Sequence, residues 1–178
     1  MMLPCGCPSE YPDWDGRDVD LGGQAVISLG IPMLFHMPLA YEAYLQRQQQ
    51  EVERLDLKEQ WPGFILTRTG FLRGSIMRLL TSGDSPSHRV TLLPRPFNLH
   101  AALHRGDVGT MRNVVKDMQL ALLERARIPK ELYLSYLTCP TCEEERGGAR
   151  VLLARRWEES SLLKKARKPK SAPPTPQR

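Results

Sequence analysis

Apolar residues recur along this chain with two different periods. In VGTMRNVVKDMQLALLERAR, Met111, Val114, Val115, Met118 and Leu122 are spaced so that a helix gathers them into one stripe, while Arg112, Lys116 and Gln119 fall outside it. Asp107 or Thr110 can cap its start and Pro129 follows its end. A second helix is predicted over LAYEAYLQRQQQEVERLDLKE, with Pro38 in its first turn. Tyr41, Leu45, Gln48, Val52 and Leu55 form its packing side, and Gln46, Arg47, Gln49, Gln50, Glu53 and Arg54 read as a solvent face.

Short runs with β character fill the rest. AVISL, FILTRTG, SIMRLLTS and VTLLP are strand candidates, and the WPG segment at 61–63 stops the first helix. ELYLSYLTC and ARVLLARRW predict a hairpin whose tip is CPTCEEERGG, where paired glycines supply the backbone freedom of the return. Arg155, Arg156 and Trp157 are expected to cover a sheet edge, or with the basic tail to stack against single-stranded nucleic acid. No internal repeat is visible.

These elements predict an α+β fold: a small mixed or antiparallel sheet, from strands near 64–93 and 131–157, packed by two main helices near 38–59 and 108–127. An irregular N-terminal arm is expected over 1–35, a single globular domain over 36–160, and a basic Pro-rich tail over 161–178, disordered from about Arg167.

Charge sharpens this division. The net charge is +5, yet residues 161–178 alone carry six cations and no acid, leaving the rest near neutral. Lys164, Lys165, Arg167 and Lys168 could therefore make a weak nucleic-acid contact through phosphate charge. No apolar run reaches the ~20 residues that span a bilayer, and the N-terminus shows no secretory pattern. A cytoplasmic location is expected, with an unidentified protein partner.

The chain has four cysteines, in two close pairs: Cys5 and Cys7 in PCGCP, Cys139 and Cys142 in TCPTC. A structural zinc ion wants four soft ligands at tetrahedral corners, and each pair can supply two. The Cys-Pro-Thr-Cys turn resembles the zinc knuckle of rubredoxin-like and zinc-ribbon proteins. The 131 residues between Cys7 and Cys139 are far more than a compact zinc module uses. If the pairs meet, the metal pins the N-terminal arm to the hairpin, and the protein is a non-enzymatic accessory or binding protein with a structural zinc. An iron–sulfur cluster or a dithiol redox pair are the alternatives on the same cysteines, although three glutamates after Cys142 disfavour a thiolate.

A metal-dependent hydrolase is a further reading. It would combine His36, His100 or His104 with the acidic run Asp13, Asp15, Asp18 and Asp20. On a helix, His100 and His104 would share one side, but no glutamate occupies the general-base position of a His-Glu-x-x-His site. DWDGRDVD lacks the glycine and glutamate positions of an EF-hand loop. It also resembles the Asp-x-Asp-Gly motif of haloacid-dehalogenase-like phosphatases, without the apolar strand that precedes that motif.

Overall fold

The computed structural model describes residues 2–167. Its elements, in order, are strands β1 (Asp18–Asp20), β2 (Ala25–Leu34) and β3 (Met37–Pro38), helix α1 (Tyr41–Arg54), strands β4 (Leu66–Arg68), β5 (Arg73–Leu79), β6 (Val90–Leu92) and β7 (Asn98–Arg105), helix α2 (Met111–Glu124), strand β8 (Arg127–Tyr136), the short helix α3 (Pro140–Glu143), strand β9 (Arg150–Glu159) and helix α4 (Ser161–Arg167). Among the described residues, nine strands form one sheet in the order β1-β7-β9-β8-β4-β5-β2-β3, with β6 beside β2. Every pairing is antiparallel.

This overturns the expected small sheet packed by two main helices. The sheet dominates, and the helices are short additions to it. Residues expected in an irregular arm supply β1 and β2, and ten-residue β2 runs through the sheet. The strand candidate AVISL forms its first half, and the strand continues through residues 30–34, beyond the run the sequence marked out. Pro38 lies in β3, and α1 begins only at Tyr41, after a left-handed Ala40. Residues 161–167 of the expected tail form α4; the disorder expected beyond Arg167 falls outside the described residues.

The topology contains a repeat that the residues do not reveal. The order β2-α1-β4-β5 matches β7-α2-β8-β9, each half pairs its first strand with its last, and the halves join where β4 meets β8. The short strand preceding each half is exchanged: β1 pairs β7, and β6 pairs β2. Burial periods of two and 3.6 can be met by unrelated residues, so the symmetry survives in structure alone.

Helices α1 and α2 cover the same face. Met111 and Met118 of α2 pack on Leu134, Val151 and Leu153, while Tyr41, Tyr44 and Leu45 of α1 pack on Leu29, Ile31 and Ile76. Thr67, paired with Leu134, meets the Tyr41 hydroxyl at 2.6 Å, which places α1 on the α2 side. The opposite face is filled by Leu66, Leu99, Leu152 and Ala154, closed over by Trp14, Tyr11 and Phe64. Strand β9 lies between β7 and β8, so Arg155–Trp157 is interior to the sheet and not at its edge. Arg127 stacks on Trp157 at 3.8 Å, and Arg156 faces the Phe97 ring at 5.1 Å.

Candidate metal centre and adjoining pocket

The β8–β9 hairpin holds one pair of cysteines. Cys139 precedes the helical turn of α3, and the amides of Cys142 and Glu143 both donate to its carbonyl, at 3.1 and 3.0 Å. Gly148 N–H closes the turn on Glu143 O at 2.8 Å, with Gly147 and Gly148 at positive φ where a side chain would be strained. The expected hairpin tip is therefore present, with one helical turn inside it.

The other pair sits in a loop that folds back on itself: Leu3 N–H donates to Cys7 O, and Gly6 N–H to Leu3 O. Two features dock this loop. Gly63 lies against it so closely that a Cβ there would stand 3.1 Å from Gly6 O and from Pro8 N. The Arg146 guanidinium donates to Pro8 O at 2.9 Å and Leu137 O at 3.1 Å. Neither residue was singled out from sequence as a partner of the cysteines; Gly63 read only as a helix stop.

The result is that all four cysteine sulfurs lie within 4.8 Å of one another. Cys139 and Cys142 Sγ are 3.9 Å apart, close to the ~3.8 Å edge of a zinc–thiolate tetrahedron with ~2.3 Å bonds. Cys139 N–H points at Cys142 Sγ at 3.4 Å, a donor suited to a thiolate. The environment splits the thiols: burial, with contacts from the other sulfurs, pushes Cys7 far above the ordinary thiol range, whereas the amide of Cys142 draws Cys139 down to about 6. Four sulfurs this close cannot all ionise unless a cation neutralises them. Donor set, spacing and amide donors thus fit a thiophilic ion.

Of the histidines and aspartates expected to form a second metal site, Asp18 and His100 meet, but no three of them gather at one point. His36 is at the β2–β3 turn beside Phe71, and His104 bonds Thr110 Oγ1 at 2.9 Å. His100 and His104 lie on β7, not on a helix, so four residues separate them by ~13 Å. The aspartates fasten the arm instead: Asp18 meets His100 at 2.7 Å and Arg127 at 2.6 Å, Asp15 accepts from Leu103 N–H, and Asp20 accepts from Phe97 N–H. Among the described residues, the cysteines are the sole group of this kind able to hold an ion.

Beside the cysteines opens a cavity of about 400 Å³, lined by Cys5, Cys7 and Cys139 on one wall and α1 on the other. That helix presents Tyr41, Leu45, Gln46, Gln49 and Gln50 to it, so the face read as solvent-exposed borders a pocket. Ile65, Tyr136 and Arg78 complete its floor. Arg78, 3% exposed, donates through Nη1 to both Glu59 oxygens (3.0 and 3.1 Å) and through Nε to Gln48 Oε1 (3.0 Å). Gln48, fully buried, in turn donates to the backbone of Ile27 and Ile76. Tyr41 is held neutral, burial pushing its phenol up to about 12.

This is an antiparallel domain of two βαββ halves, carrying a four-cysteine cluster beside a pocket on its helical face. The chain belongs to the family described as bacterial hydrolase, whose model matches residues 3–156. No curated protein matches it. Among solved structures it is similar to the C-terminal domain of EcmrR, with 11% identity and a TM-score of 0.60 over 81% of this chain and 97% of that one. It is also similar to EcmrR in the cryo-EM structure of the EcmrR–DNA complex in EcmrR-RPo, with 10% identity and a TM-score of 0.57. There the match covers 81% of this chain and 57% of the other. At such identities the likeness is one of fold. No helix among the described residues is long and apolar enough to cross a membrane.

Proposed function

We propose that the protein is a non-enzymatic binding protein in which a structural zinc, held by Cys5, Cys7, Cys139 and Cys142, fixes one wall of a small-molecule pocket. The observation that carries this is the convergence of the four sulfurs within 4.8 Å across the length of the chain. So compact a set favours one ion over an iron–sulfur cluster, which spreads its thiolates over several irons. Four protein ligands leave no open position, as a structural site requires. Elemental analysis of purified protein should give about one zinc per chain, and Cys139→Ser should lower both metal content and melting temperature. Metal-free protein with an unchanged melt on chelation would end the reading.

The family's description supports a second reading, hydrolysis in the same pocket. Glu42 and Tyr41 border the cavity and are its proton-transferring candidates. Turnover of p-nitrophenyl acetate that Glu42→Gln abolishes would establish it; equal rates in both proteins would exclude that role. The EcmrR–DNA complex supports, at the level of fold, a weak nucleic-acid contact through Lys164, Lys165, Arg167 and Lys168. Salt-sensitive DNA binding lost on truncation after Ser160 is its test.

A further inference from the structure

We infer that Arg155 anchors a second site, on the α2 half of the sheet, that takes the phosphoryl group of a small phosphate monoester. The two βαββ halves place Arg78 and Arg155 at equivalent positions. In the first half, Arg78 of β5 lies opposite Ile27, Leu80 two places on lies opposite Glu59, and the eighth residue of α1 is Gln48. In the second, Arg155 of β9 lies opposite His100, Trp157 lies opposite Pro129, and the eighth residue of α2 is Met118. Proline and methionine thus stand where Glu59 and Gln48 supply the acceptors of Arg78. Among the described residues Arg155 has no hydrogen bond or ion pair, although the residue is half-buried and its Nε is wholly buried. A partly desolvated cation without an acceptor is costly, and a bound anion removes that cost.

The charges around Arg155 select the anion. His100, its neighbour across the sheet, engages Asp18 Oδ1 through Nδ1 at 2.7 Å. Asp18 Oδ2 accepts from Arg127 at 2.6 Å, and Arg127 stacks on Trp157, two residues from Arg155. The other nearby carboxylates are also taken. Glu131, whose charge reaches Arg155, accepts from Arg156 at 3.1 and 3.3 Å, and Glu159, opposite Arg127, is held by Lys164 at 2.6 Å. Arg155 and the exposed Arg125, 3.9 Å from Asp18, are the surplus cations. Two surplus charges match a phosphate monoester, which carries about −1.5 to −2 at neutral pH. The guanidinium fork suits two of its oxygens. His100 Nε2, without a partner among the described residues, suits the third: it donates to a phosphate oxygen when the ring is protonated and accepts from a P–OH when the ring is neutral. A carboxylate held by the fork has no third oxygen, and a nucleic-acid diester has one charge and no P–OH.

This site uses none of the four cysteines, so its test is independent of the metal. The full chain is titrated calorimetrically with phenyl phosphate at neutral pH, with benzoate and a DNA duplex as comparators. Phenyl phosphate should bind about 10-fold more tightly than benzoate, a difference of ~1.4 kcal/mol, and the duplex should not compete with it. Arg155→Met should weaken phenyl phosphate about 10-fold without lowering the melt, because the guanidinium it removes bonds nothing in the protein. Arg155→Lys, which keeps the charge but loses the fork, should weaken binding in the same direction. Met118→Gln gives Arg155 the kind of acceptor that Gln48 gives Arg78, and should weaken phosphate binding while raising the melt. No heat from phenyl phosphate at millimolar concentration, equal binding of benzoate, or unchanged affinity in Arg155→Met and Arg155→Lys would overturn the assignment. So would competition by the duplex that Arg155→Met abolishes, which would move the site to the nucleic-acid backbone.

Discussion

Arg146 reaches across the cysteine cluster to Pro8: its guanidinium donates to the Pro8 carbonyl at 2.9 Å and, with the same nitrogen, to Leu137 O at 3.1 Å. Its own carbonyl is held by Arg150 Nη2 at 2.6 Å. One side chain therefore bridges the loop of Cys5 and Cys7 to the hairpin of Cys139 and Cys142.

Removing that bridge should loosen the metal. In Arg146→Ala the four ligands remain but the N-terminal loop loses its tether, so zinc affinity should fall about 10-fold, as for other supports behind a ligand set. Competition against a chromophoric chelator measures it. Unchanged affinity would mean that the sulfurs alone hold the loop.

Gly63 provides an independent handle on the same docking. Its φ of +81° is strained for any side chain, and a Cβ would press on the backbone of Gly6 and Pro8. Gly6 has a similar φ of +86° but open space around it. Gly63→Ala should therefore destabilise the metal-bound protein by about 1–3 kcal/mol and weaken zinc retention, and Gly6→Ala should cost less. Parallel urea unfolding of the two variants would reveal the order; reversal would show that backbone strain outweighs the crowding.

How far the sequence spoke to this site depends on the range of the interaction. A Cys-x-x-Cys turn is local, and its hairpin setting followed from the flanking strand runs and Gly147–Gly148. That Cys5 and Cys7 meet it is a property of the sheet and of Arg146 and Gly63, contacts between residues far apart in the chain. The pocket was invisible for a different reason: Gln46, Gln49 and Gln50 are chemically suited to water or to a cleft, and only the neighbouring elements decide. His100 and His104 were read on a helical period although β7 carries them, because NLHAALH offers alternation too weak to outvote the pair. Gln48 sat correctly on the packing side, but its bonds to two strands and to Arg78 could not be read from spacing.

Acidification should erode the fold through carboxylates fixed by cations. Burial alone would raise Asp18, but hydrogen bonds from Arg127 and His100 overcome it and leave its pKa lowered. Glu51 is lowered likewise by Arg89 and Ser87. Carboxyls with folded values below the unfolded ~4 stabilise the protein above that value, and the benefit is lost as pH falls through the folded values. The urea midpoint should thus decline below about pH 5, and Asp18→Asn should flatten that decline. A midpoint independent of pH from 7 to 3 would contradict the linkage.

The buried pair under α1 gives the largest expected effect. Arg78 and Glu59 side chains are 3% and 7% exposed, joined through two bonds, with Gln48 as the third partner. Arg78→Met leaves the Glu59 carboxylate buried and unpaired, which costs about 3–5 kcal/mol or forces that carboxyl to protonate. Arg78→Met combined with Glu59→Gln removes both charges and should recover a large part of the loss. Arg78→Met alone should also gain stability on mild acidification, opposite to the parent protein, because protonation relieves the orphaned carboxylate. Urea unfolding at neutral and mildly acidic pH separates these outcomes: a single variant as stable as the double one would show that the charge of Arg78 does not hold this face of the sheet together.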